Sequence, residues 1–303
     1  MARIFYDKAP VEIRVGNYSE TLIATDCSIN FNNSQAPIYS VGKKGPIGQF
    51  PSAASAGDIS FNFLTTITGN FDGIVGVPTA TQGNIINYLA DQVKHSADSE
   101  ASGVVVKCAG VSGIGFLNSY SFNTTANSIS SSSAAFTLFG SGTELPVSGR
   151  LSGISAGVGI GGTEASTVTT GIAHGRFTTM PANLRTSIYD GTAAPKTQTA
   201  TIYSADYSIS FNHTPIYKIG QEFPTTTFYT NASETVNVSE DLFNSGLKFN
   251  ESSTDYTLEL KGLAGASSAP MHVFISGAKQ INTSASVGLD DIIRTQKSLT
   301  AVY

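Results

Sequence analysis

Two stretches of this chain spell the same pattern, and a fold must accommodate both. Asp26-Cys27-Ser28-Ile29-Asn30-Phe31 returns as Asp206-Tyr207-Ser208-Ile209-Ser210-Phe211. Pro37-Ile38-Tyr39-Ser40-Val41-Gly42 returns as Pro215-Ile216-Tyr217-Lys218-Ile219-Gly220, and each copy closes on Phe-Pro, at Phe50-Pro51 and Phe223-Pro224. An ordered repeat of this kind implies two copies of one unit, and architectures that place copies side by side are built for assembly more often than for catalysis. At 303 residues the chain has room for two ordinary domains. The expected boundaries are 1–145 for the first, 146–184 for a Gly/Ser/Thr-rich connector or hairpin, and 185–303 for the second.

Alternation of apolar and polar residues dominates the patterned segments. Ile59-Ser60-Phe61-Asn62-Phe63, Tyr207-Ser208-Ile209-Ser210-Phe211, Val236-Asn237-Val238 and Tyr256-Thr257-Leu258-Glu259-Leu260 all read as half-buried strands. One segment departs from this. From Asn84 to Lys94, Ile85, Ile86, Leu89, Ala90 and Val93 recur at helical spacing, which predicts an amphipathic helix. In the second copy Ser239-Glu240-Asp241-Leu242-Phe243 carries an N-cap and early acids, which predicts a shorter helix. The segments from Val104 to Phe139 and from Val273 to Val302 also match, each as a strand, a Gly-containing bend and a Ser-rich strand. The fold class expected is mainly β, with two tandem sandwich-like or barrel-like domains and a helix flanking each.

Charged residues make up 13% of the chain, about half the usual share, and the formal net charge is -5. A nucleic-acid binder needs clustered Lys and Arg, and the densest basic spot is Lys43-Lys44 in a Gly/Pro loop. No apolar segment of signal-peptide length follows Arg3, and none approaches the roughly 18 residues of a membrane span. The expectation is therefore a protein made in the cytoplasm with no membrane insertion. Cys27 stands where the second copy has Tyr207, so it reads as a small apolar residue, and no disulfide with Cys108 is expected.

Chemical motifs fail on context. Gly153-Ile154-Ser155-Ala156-Gly157 has the nucleophile-elbow spelling, and Gly157 to Gly162 has that of a dinucleotide loop, yet neither is flanked by the strand and helix its chemistry requires. His95, His174, His213 and His272 are scattered. Glu240-Asp241 and Asp290-Asp291 fit a helix start and a turn. The reading is of a non-enzyme with no cofactor, no metal and no catalytic residue. The repeated Pro-Ile-Tyr-x-[Val/Ile]-Gly is open to two compatible readings. Proline, aromatic and glycine can mark a strand that bends out of a sheet, or a subunit contact kept in both copies. The residues concerned are Pro37, Tyr39, Gly42 and Pro51 in the first copy, and Pro215, Tyr217, Gly220 and Pro224 in the second.

The order Ser-Ile-x-Phe strand, Pro-Ile-Tyr-x-[Val/Ile]-Gly, Pro-closed loop, alternating strand and helix resembles the tail tube proteins of tailed bacteriophages. Gly277-Ala278-Lys279 through Ser286-Val287-Gly288 is similar to the closing strands of such domains. The resemblance covers about residues 20 to 139 and 185 to 303. It implies a structural virion protein assembled in the host cytoplasm, whose subunits join sheets edge to edge into rings that stack into a hollow tube. With two fused domains, a homotrimer supplies a pseudo-hexameric ring. Its implied partners are further copies of itself, other tail proteins (tape measure, baseplate, a sheath where present) and DNA passing without specific binding during genome ejection. The first-copy loop from Lys43 to Gln49, with Lys43 and Lys44 as symmetry-breaking residues, and the long connector depart from the pattern. They leave a tube-initiating or baseplate hub component as an alternative. A carbohydrate-binding adhesin module is the rival of a different class, suggested by the Ser/Thr/Asn-rich composition.

Overall fold

A computed structural model describes residues 11–15, 18–32, 35–51, 56–65, 69–70, 82–95, 104–108, 111–125, 130–139, 147–148, 166–167, 186–190, 197–219, 224, 226–241, 254–260, 271–286 and 294–303. The protein is mainly β, with large antiparallel sheets and one helix among the described residues. The strands of the first half are β1 (Val11–Val15), β2 (Tyr18–Leu22), β3 (Ala24–Asn32), β4 (Gln35–Tyr39), β5 (Pro46–Pro51), β6 (Ala56–Leu64), β7 (Gly69–Asn70) and β8 (Gln82–Gly83). After helix α1 (Ile85–His95) come β9 (Val104–Cys108), β10 (Val111–Thr125) and β11 (Ser131–Phe139). Short β12 (Val147–Ser148) and β13 (Ser166–Thr167) lead to β14 (Thr186–Asp190), β15 (Thr197–Ile216), β16 (Thr226–Asp241), β17 (Thr254–Leu260), β18 (Met271–Ser286) and β19 (Arg294–Val302).

The pairings draw the same diagram twice. In the second half β14, β15, β16, β19, β18 and β17 pair in that order, and β17 pairs back to β14, closing the circuit. In the first half β1, β9, β10, β11, β6 and β3 pair in order. Only Ile23 separates β3 from β2, which pairs with β1. Leu64 N–H donates to the Ile23 carbonyl at 3.0 Å, so the ladder runs through that break. The single long β15 thus does in the second half what β2 and β3 do together in the first. By the same correspondence β9 matches β17, so the strand begun at Val104 has its counterpart at Thr254–Leu260 and not at Val273; β10 and β11 match β18 and β19.

Alternation explains the core. In β6 every second residue is buried, with Ile59, Phe61 and Phe63 inside. The inward residues of β10, β11, β15 and β16 meet them, with Phe122 stacked on Tyr207 at 5.0 Å and Phe61 on Phe136 at 6.0 Å. Each such side chain contributes roughly 1.5–3 kcal/mol by leaving water.

Helix α1 forms where its periodicity predicts, and its first turn is secured twice. The Asn84 side chain accepts Asn87 N–H at 2.9 Å, and the Glu20 carboxylate accepts Ile85 N–H at 2.7 Å. The helix is not simply amphipathic, however, because Asn87, Asp91 and Lys94 are buried along with Ile85, Ile86 and Leu89. Each polar group has a partner from the second half or its own turn, as described below.

Two further expectations are corrected. Ser239 and Glu240 do not start a helix but belong to β16, where Glu240 pairs in register with Ile202 and Thr295. Its inward-facing carboxylate meets Lys297, and that buried ion pair outweighs the local capping signal. Leu242 and Phe243 lie outside the described residues. The second correction concerns Cys27 and Cys108, which are joined as a disulfide across 81 residues with Cα atoms 7.0 Å apart. The strand order brings β3 and the end of β9 to one core, a proximity that spacing in sequence does not reveal. The expected boundaries near 145 and 184, Asp290-Asp291, His174 and both Gly-rich motifs between 153 and 162 also lie outside the described residues; of the connector only β12 and β13 are described, and they pair with β10 and β2, not with each other.

Candidate functional site

Eight strands pair in one antiparallel run across both halves, in the order β3, β6, β11, β10, β15, β16, β19, β18. The joint between halves is β10 against β15, with Ser119 opposite Ser210, Ser121 opposite Ser208 and Asn123 opposite Asp206. Because strand residues alternate, one face of this run is core and the other is solvent. The solvent face is Ser, Thr, Asn and Asp almost throughout, and its side chains bond across strands. Asn62 donates to both Asp26 carboxylate oxygens at 3.0 and 2.8 Å, Ser28 and Ser60 share a bond of 2.7 Å, and Ser121 and Ser133 another of 2.7 Å. Thr137 donates to Asp58 at 3.1 Å, and Asn123 donates to Asp206 across the joint itself. A shallow groove of about 330 Å³ runs along this joint, with Asn62, Ser121, Asn123, Asp206, Ser208 and Asn237 among its lining.

Over the six strands around the joint the charge on this face is one-sided. No Lys or Arg occurs in β3, β6, β11, β10, β15 or β16, whereas Asp26, Asp58 and Asp206 stand exposed on them. Those six strands repel phosphate and offer it no Lys or Arg, and the exposed cations of the run, Lys279 of β18 and Arg294 of β19, stand toward its far end. No group of three or more potential metal ligands occurs among the described residues.

Among the described residues the two ends of the run have an unpaired edge. β3 pairs with β6 on one side and with no other strand among the described residues. In β18 the segment from Lys279 to Ser286 pairs with β19 and with no other strand among the described residues.

A buried cluster ties the helix of the first half to the second. Lys94 and Glu234 lie 3.2 Å apart, both side chains wholly buried, and Asp91 is 3.4 Å from the same ammonium. Lys94 also donates to the Phe274 carbonyl, and Asn87 to the His272 carbonyl at 3.1 Å. Tyr207 and Tyr303 hydroxyls donate to the Glu234 carboxylate at 2.7 and 2.6 Å. Desolvation by burial pushes Lys94 down, yet Glu234 and Asp91 outweigh it and hold the ammonium above its ordinary range. Burial and the Glu234 charge push both tyrosines up. These groups were not singled out from the sequence. The available signal was Glu234 at an inward position between Ala232 and Val236 in an alternating strand.

The repeated motif lies at the surface in both copies. β4 and β5 form a separate two-stranded ribbon that follows β3. Pro37 is exposed in that ribbon, Tyr39 is 67% exposed and Val41 fully so. Gly42 turns the chain at φ +88°, and Pro51 closes the ribbon opposite Gln35. Lys43 and Lys44 project from the bend, with Lys43 N–H donating to the Ser40 carbonyl at 3.2 Å. In the second copy Pro215 still pairs within β15, opposite Thr227. Tyr217 is 41% exposed, Ile219 fully so, and Pro224 is buried. Gly220 lies outside the described residues.

No protein-family model matches this chain, and a search of curated proteins returns no match. No helix among the described residues is long and apolar enough to cross a membrane.

Proposed function

We propose that this chain is a structural virion protein, a tail tube subunit whose two tandem units form trimeric, pseudo-hexameric rings that stack into a conduit for genome ejection. The observation that carries the reading is the seam between β10 and β15, which joins two halves of like strand order into one sheet with a polar, acidic face. A ring whose positions are successive halves would turn that face to the lumen, where phosphate is repelled and slides. The exposed apolar tips at Val41 and Ile219 suit contacts between stacked rings, and the asymmetric ribbon carrying Lys43 and Lys44 suits a contact with another tail protein. Negative-stain microscopy of concentrated protein tests the proposal. Rings or hollow tubes of constant width are expected, whereas a stable monomer that binds glycan would favour the adhesin reading and overturn this one.

A further inference from the structure

Resting on that reading, we propose the joint by which one chain meets the next: the edge of β18 from Lys279 to Ser286 pairs antiparallel with β3 of a second copy, in the register β10 already uses with β15. The two halves fix that register residue by residue. Asp26 pairs with Asn62 as Asp206 pairs with Asn237, so β3 corresponds to the start of the β15 motif. Asn62 lies opposite Ser133 and Asn237 opposite Ser298, and these face Ser121 and Asn282 in turn. Ser121 opposite Ser208 therefore translates to Asn282 opposite Ser28 of the neighbour. Asn123 opposite Asp206 translates to Ser284 opposite Asp26, and Ser119 opposite Ser210 to Lys279 opposite Asn30.

Burial differs between the copies where this joint predicts. Ala205, Ile209 and Phe211 are buried beside the internal joint, with Phe211 4% exposed. Their counterparts at the open edge are uncovered: Thr25 is exposed, Ile29 half-buried and Phe31 44% exposed. The same motif is finished in one copy and unfinished in the other. A long open edge invites a strand, and pairing it with the chain's other open edge removes both at once.

Charge agrees with this choice of partner. Lys279 is exposed on the open β18 edge, and the derived register sets it beside Asn30, whose own partner across β3 and β6 is Asp58. The acidic end of one chain thus receives the cation of the next.

Full-length Ser28→Cys/Asn282→Cys, oxidised with copper phenanthroline, tests the register. Directly opposed strand residues have Cα atoms about 4.5–5.5 Å apart, within disulfide reach. The expected result is a non-reducing ladder of covalent oligomers, at least about tenfold stronger than from the off-register pair Ser28→Cys/Ser286→Cys or from either single variant. Lys279→Glu should weaken association about fivefold or more, and Lys279→Glu/Asp58→Lys should recover most of it. Rings or tubes that form without the in-register cross-link would overturn this joint while leaving the tube reading intact. A protein that stays monomeric at high concentration would overturn both.

Discussion

Lys94→Met is the most informative substitution in the core, because it separates a paired buried charge from an unpaired one. Methionine matches the lysine stem in length and packs as readily against Tyr303, whose ring centroid lies 5.3 Å from the ammonium. What changes is the charge. The Glu234 carboxylate, wholly buried, keeps the Tyr207 and Tyr303 hydroxyls but loses its counter-ion, and Asp91 loses it too. Breaking a buried pair from one side costs about 3–5 kcal/mol. With a urea slope of about 3 kcal/mol/M, the unfolding midpoint should fall by about 1–1.7 M. Glu234→Gln alone strands Lys94 less severely, since Asp91 and the Phe274 carbonyl remain. The double variant Lys94→Met/Glu234→Gln should recover more than half of the loss, giving a coupling of about 2 kcal/mol or more. Urea unfolding of the four proteins supplies every term. A midpoint that moves by less than about 0.3 M in Lys94→Met, or strictly additive effects, would refute the claim that this cluster clamps the helix to the second half.

Other outcomes follow from individual sites. Gly83 has φ +145° and an added Cβ would sit 2.9 Å from Met271 Cγ, so Gly83→Ala should cost about 1–3 kcal/mol, read by thermal unfolding. Val41→Asp and Ile219→Asp alter fully exposed tips and should change stability by less than about 0.5 kcal/mol. On the tube proposal they should nevertheless suppress end-on stacking while ring size by light scattering is unchanged. His213 is lowered by desolvation, partly offset by Asp58, so it is held neutral in the fold. Its contribution is present above about pH 6.5 and lost as pH falls through the lowered value; His213→Gln should flatten the stability profile across that interval. Lys94, Tyr207 and Tyr303 are all raised, so their contribution is intact below about pH 10 and is lost at higher pH, which alkaline unfolding followed by tyrosinate absorbance would register.

Period-two alternation made the strands legible, since Ile59-x-Phe61-x-Phe63 can bury one face only as a strand, and the 3.6 spacing of Ile85, Ile86 and Leu89 located α1 equally well. Capping chemistry misled at Ser239 because it is a local preference, and a buried Glu240–Lys297 pair is a tertiary one. Pairing of Cys27 with Cys108 depends on strand order, which no local pattern encodes. The repeat flagged Tyr39, Tyr217 and their prolines as special. The polar face went unrecognised in sequence because Ser28, Asn62, Ser121 and Asp206 are ordinary outward residues until four strands align them. Asp91 and Lys94 carry no mark in the sequence, because their burial depends on Glu234 arriving from 140 residues away.

The seam between β10 and β15 also has a kinetic meaning. It closes within one chain, at a rate that does not depend on concentration, whereas a joint between chains obeys mass action. In any string of halves built this way, the two kinds of joint alternate. Dilution then opens every second joint and leaves the ones between untouched, so the released piece is always a whole chain and a single rupture has no like neighbour to spread into.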